Sequence, residues 1–73
     1  MDKENRVIIV RFANLWLVTD LTRYATAETR EEALDIAMIA CLANGVDTYY
    51  EGERTDCEWV EGVGVKPIEA TLH

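Results

Sequence analysis

The longest patterned segment of the chain runs from Ala33 to Ala43, ALDIAMIACLA, with Asp35 as its one polar residue. Thr29-Arg30-Glu31-Glu32 precedes it. Thr29 at the N-cap with Glu32 three residues on forms a capping box. Glu31 and Glu32 also suit the positive end of a helix dipole. Asn44-Gly45 supplies the stop, with Gly45 as the left-handed residue beyond the last turn. The pattern predicts a helix over residues 30–43.

On a helical wheel Ala33, Ala37 and Ala40 make one stripe, flanked by Leu34, Ile36 and Cys41. Small side chains there let a helix sit close to a sheet. The outer side is charged at Glu31, Glu32 and Asp35, then turns apolar at Met38, Ile39 and Leu42. Burying one such side chain contributes about 1.5–3 kcal/mol, and an exposed cluster of them marks an interface. The expectation is self-association through Met38, Ile39 and Leu42, giving a homodimer. The competing expectation is that the C-terminal tail folds back over them.

Before the helix, Arg6 to Phe12 reads RVIIVRF, a β-branched run bounded by polar residues and hence a strand. Ile8, Val10 and Phe12 fall on one face; Val7, Ile9 and Arg11 fall on the other. Both faces are largely apolar, which predicts a central strand. Ala13-Asn14 reads as a tight turn. Leu15 to Thr19 is a second strand, with Trp16 and Val18 opposite Leu15 and Leu17. Asp20-Leu21 reads as a turn or bulge, and Thr22 to Thr26 as a third strand or a continuation of the second. After the helix, Val46 to Glu51 and Asp56 to Glu61 read as two strands around a turn at Gly52-Glu53-Arg54-Thr55. Pro67 bars a central strand beyond that point, and Val63 and Val65 leave room for a short edge segment. The order β-β-β-α-β-β predicts an α+β fold: an antiparallel sheet of four to five strands with one helix packed on one face.

Length changes this picture little. The chain has 73 residues, enough for a single domain over 1–73. A domain this small buries roughly 60% of its unfolded surface and often leans on disulfides, metals or oligomerisation. Cys41 and Cys57 form no C-x-x-C pair and have no histidine near them, so no metal site is expected. Cys41 inside the apolar run behaves as a small hydrophobe. Buried free thiols are expected over a disulfide, consistent with a reducing cytoplasm. Met1 to Asn5 is charged and resembles no signal peptide, and no segment has the length of a membrane span.

Charge narrows the partners. The formal net charge is −7, which disfavours nucleic acid and an anionic membrane surface and fits a basic protein surface. Six carboxylates lie between Asp47 and Glu61 (Asp47, Glu51, Glu53, Asp56, Glu58 and Glu61) against one base, Arg54. Tyr49, Tyr50 and Trp59 are interleaved with them on what reads as a hairpin. Aromatics supply interface energy and charge supplies steering, so Asp47, Tyr49, Glu51, Glu53, Asp56, Glu58 and Glu61 are the candidate partner-binding residues. A solubilising sheet edge is the plainer explanation.

The chain offers little for catalysis. His73 is the only histidine and the last residue, and serine is absent. A Ser-His or Cys-His nucleophile therefore lacks its parts. Asp56 and Glu58 beside Cys57 would blunt its thiol. The acids match no calcium-loop spacing, and no glycine-rich phosphate loop is present. No catalytic residue, cofactor or metal is expected.

Trp16-Leu17-Val18, followed by Thr29-Arg30-Glu31-Glu32-Ala33-Leu34 with Ala37 and Ala40, resembles the partial RNase-H-like antitoxin domain of the HicB family. There strands precede a T-x-x-E-A-L-x-x-A helix and another strand follows it. The stretch is also similar to short bacterial domains with a W-x-V strand before the same helix. The match covers roughly residues 7–51. Size and charge resemble small acidic phage-encoded inhibitors, anti-CRISPR proteins among them. These resemblances imply a cytoplasmic, non-enzymatic inhibitor or antitoxin, dimeric, that occludes a basic site on a partner protein. The alternatives are a small-molecule-binding or enzymatic domain with a pocket at a dimer interface, lined by Trp16, Tyr24, Tyr49, Tyr50 and Trp59, and a purely structural subunit.

Overall fold

A computed structural model describes residues 6–68. Met1 to Asn5, His73 and the end of the C-terminal tail lie outside the described residues. The elements are β1 (Ile8–Phe12), β2 (Trp16–Thr19), β3 (Tyr24–Ala27), α1 (Arg30–Asn44), β4 (Tyr50–Arg54), β5 (Cys57–Val60) and β6 (Gly64–Pro67). The fold is α+β, with a four-stranded sheet in the order β3-β2-β1-β4 and a separate two-stranded sheet of β5 and β6.

The first three strands form the expected meander. β1 pairs antiparallel with β2, and β2 with β3. β1 is an interior strand, as its two apolar faces require. The sheet is mixed, however, and not purely antiparallel. β4 runs parallel to β1, with Ile9 opposite Glu51 and Arg11 opposite Glu53. A parallel pairing needs a long crossover, and α1 provides it by carrying the chain from the β3 edge to the β4 edge.

That crossover displaces the expected fourth strand. Val46 to Tyr49 is spent on the connection: the Val46 N–H caps the helix by donating to the Cys41 carbonyl at 3.0 Å, and its side chain packs on the core. The strand begins at Tyr50 and continues through Gly52-Glu53-Arg54, the residues that read as a turn. The turn itself falls at Thr55-Asp56. β4 and β5 do not pair with each other, so the expected acidic hairpin does not exist. β5 pairs with β6 instead, in the register Cys57 to Pro67 and Trp59 to Val65. Pro67 takes the last position of β6, where the missing N–H costs least.

Helix α1 follows its sequence signals. Thr29 is the N-cap and its side chain accepts the Glu32 N–H at 3.1 Å. Gly45 closes the helix at φ 69°. Ala33, Ala37 and Cys41 are buried in one cluster with Val7, Ile9, Val18 and Ala27, with Leu34, Ile36 and Ala40 at its margin. A second cluster joins Phe12, Leu17 and Cys57, bordered by Val10, Leu15 and Trp59. Val7 and Ile9 alternate with Val10 and Phe12 along one strand, so the clusters draw on opposite sides of β1. Cys41 and Cys57 are both buried and both free, each in a different cluster.

Candidate interaction surfaces

The end of α1 presents the surface singled out by its hydropathy. Met38 is 61% exposed, Ile39 67% and Leu42 82%. No described residue roofs them: Gly64 to Pro67 is committed to β5, and the part of the expected tail cover that falls on residues 69–73 lies outside the described residues. The three do not point the same way. Ile39 lines a groove of about 260 Å³ with Ile36, Ala40 and Ala43 of the helix, Val18 and Ala25 of the strands and Arg23 of the turn between them. Met38 and Leu42 lie further round the helix, about 100° and 60° from Ile39.

A tight turn from β2 into β3 closes one end of that groove. Asp20 Oδ1 accepts from the Thr22 N–H at 3.0 Å, the Thr22 hydroxyl at 2.8 Å and the Arg23 N–H at 2.9 Å. Its other oxygen accepts from the Asn44 amide at 3.1 Å, which ties the turn to the last turn of α1. These bonds, those from Thr22 foremost, hold the Asp20 carboxyl well below the usual carboxylate range. Leu21 sits inside the turn at φ 77° and is exposed. Left-handed backbone is strained for a leucine. It is held by a bond from its own N–H to the Thr19 hydroxyl, at 3.0 Å, and by the hydroxyl's bond to the Arg23 carbonyl, at 2.7 Å.

The acids predicted to bind a partner are dispersed. Glu51 and Glu53 occupy alternate positions of β4, an edge strand exposed along its whole length. Glu51 holds Arg30 through two bonds, at 2.9 and 3.2 Å. Asp56 pairs with Arg54 at 3.2 Å, which keeps the Asp56 carboxyl below its ordinary pKa. Glu58 stands on β5 opposite Lys66. Glu61, in the turn after β5, accepts the Tyr24 hydroxyl at 3.1 Å, and this bond raises the Tyr24 pKa. Asp47 and Tyr49 lie on the exposed connection into β4. Glu51 with Glu53 is the one pair that shares a strand face.

The aromatic residues do not converge on one cavity either. Tyr24 meets Trp59 edge-on, with ring centroids 5.0 Å apart. Trp16 lies under the Arg11 guanidinium at 5.4 Å, in a groove of about 380 Å³ shared with Arg30, Glu51 and Glu53. Tyr50 is exposed at the opposite sheet edge from Tyr24. Cys57 Sγ accepts from Arg54 Nη2 at 3.3 Å, and its thiol also hydrogen-bonds the Asp56 carboxylate, so a base and an acid both stand beside it.

Two of these features leave little trace in the sequence. The Asp20 turn carries a partial signal, since Asp followed by Thr at the second position favours a side-chain-capped turn. The groove beside Ile39 has none, because it depends on which strand lies under that flank of the helix. Among the described residues no group of three or more histidine, cysteine or acidic side chains is placed to hold a metal ion. Among them, too, no helix is long and apolar enough to cross a membrane. Comparison with known proteins finds no matching family model, no matching curated protein and no matching solved structure.

Proposed function

We propose that the chain is a non-enzymatic protein-interaction module that works as a homodimer and occludes a basic site on a second protein. The observation that carries this reading is the exposure of Met38, Ile39 and Leu42 beside an apolar groove on a small domain. Each of those side chains gains about 1.5–3 kcal/mol from burial. In this reading α1 covers one face of the sheet and the β5–β6 hairpin the other, so the helix's outer side is left for assembly.

A net charge of −7 accelerates encounter with a basic surface and repels competing anions. Exposed β4, with Glu51, Glu53 and Tyr50, is the docking edge best suited to lysine and arginine side chains. Occlusion of a site that otherwise takes nucleic acid or another anion is the mechanism of an inhibitor or antitoxin. A bacterial or phage protein of the cytoplasm fits it.

Affinity capture from the native cell, followed by charge reversal, tests this. Glu51 also holds Arg30, so Glu53→Lys is the cleaner variant. Loss of the captured partner is expected. Undiminished capture overturns the charge mechanism.

A further inference from the structure

We infer that the partner at the α1 groove is a second copy of this chain, joined through the free edge of β3 so that two four-stranded sheets become one. The inference rests on the self-association proposed above and names its geometry.

An unpaired strand edge is a template for another strand. The described residues present four edges, and three are blocked. β5 is covered on its free side: the Ala13 N–H donates to the Cys57 carbonyl at 2.9 Å, and Asn14 bonds both backbone groups of Trp59. β6 carries Lys66 and Pro67, residues that discourage pairing. β4 carries Glu51 and Glu53 on one face. A two-fold antiparallel joint centred on residue 51, 52 or 53 sets carboxylate against carboxylate, which is destabilising. β3 is the exception. Tyr24-Ala25-Thr26-Ala27 has no charge, no proline and no described strand on its outer side.

The ends of β3 complement each other in the antiparallel sense. Arg23 stands at the start, its guanidinium 3.9 Å from the Asp20 carboxylate and its side chain still 78% exposed. Glu28, Glu31 and Glu32, all exposed, follow the end. A two-fold joint brings the basic start of one strand beside the acidic end of the other, twice. The apolar flank of α1 then does the rest. Ile36, Ile39 and Ala43 line the groove above β3, and the same flank of the second copy approaches across the joint. Ile39 is covered in this arrangement, while Met38 and Leu42 lie at its rim.

The backbone makes the idea testable at one atom. The Asp20 N–H donates to the Arg23 carbonyl, a pair that continues the β2–β3 register. Hydrogen-bonded pairs alternate along an antiparallel ladder, so Ala25 and Ala27 bond inward to Val18 and Trp16. Tyr24 and Thr26 therefore aim their amides outward. A joint centred on either Ala25 or Thr26 uses the Thr26 amide. Thr26→Pro deletes that donor and leaves the β2 ladder whole.

The experiment is sedimentation of the unmodified chain and Thr26→Pro at micromolar concentration, with circular dichroism as the check on folding. The unmodified chain is expected to be a dimer and Thr26→Pro a folded monomer, its dissociation constant raised at least about tenfold. A dimeric Thr26→Pro overturns the β3 joint and leaves self-association standing. A monomeric unmodified chain overturns both. If Thr26→Pro does not fold, hydrogen exchange on the unmodified chain decides: the Tyr24 and Thr26 amides are expected to slow as concentration rises, and an unchanged rate in a dimer overturns the joint.

Discussion

Asn14 donates its side-chain amide to the Trp59 carbonyl at 2.9 Å and accepts the Trp59 N–H at 3.0 Å. The side chain thus bonds β5 as a neighbouring strand would. It holds the second sheet against Phe12 and Leu17, and Trp59 against Phe12 and Tyr24. Asn14→Ala removes both bonds. The expected loss is about 1–3 kcal/mol, read as a lower midpoint in urea unfolding followed by tryptophan fluorescence. Asn14→Asp keeps the acceptor but sets an oxygen against the Trp59 carbonyl, so a comparable loss is expected.

The Asp20 turn sets the acid limb of the stability curve. Its carboxyl pKa is lowered in the folded state. The stabilisation is therefore complete above the unfolded value of about 3.9 and fades as pH falls below it. Urea unfolding at acid and neutral pH is expected to show this slope in the unmodified chain and a flatter one in Asp20→Asn. Equal slopes in the two proteins contradict the assignment.

Leu21 tests the strain in the same turn. Relief of left-handed backbone contributes about 1–2 kcal/mol, and the extra freedom of an unfolded glycine costs about 0.5–1 kcal/mol. Leu21→Gly is thus expected to be neutral or slightly stabilising. Leu21→Val, β-branched at positive φ, is expected to lower the melting temperature.

Ala37 is fully buried between helix and sheet. Ala37→Leu adds three carbons where none fit, and overpacking of this kind costs about 1–3 kcal/mol. A lower melting temperature is expected. Ala43→Leu, at the exposed end of the helix, is expected to leave the fold unchanged, which separates packing under the helix from helix propensity.

How far the sequence carried the fold follows from which forces are local. The Thr29–Glu32 box and Asn44-Gly45 act within a turn or two, and the helix expected over 30–43 is observed as Arg30–Asn44. The Ala33-Ala37 stripe and the β1 alternation depend on period alone and place the right residues in the core. β4 was not legible. Gly52-Glu53-Arg54-Thr55 has turn composition, and only the long-range parallel pairing with β1 draws Tyr50–Arg54 into a strand, an instance of tertiary context overriding β-propensity. The acids misled for the same reason: neighbours in sequence became neighbours on a hairpin only if β4 paired with β5. The apolar patch was legible as composition. Its division between Ile39 in the groove and Met38 with Leu42 outside it needed the strands beneath.

The claim on which the functional reading stands is that the outer flank of α1 is covered by a second chain in solution. Sedimentation equilibrium of the unmodified chain beside Ile39→Glu addresses it most directly, because Ile39 belongs both to the exposed helical patch and to the groove over β3. Two chains per particle, reduced to one in Ile39→Glu with the circular dichroism spectrum unaltered, is the expected result. One chain per particle in the unmodified protein at micromolar concentration contradicts it.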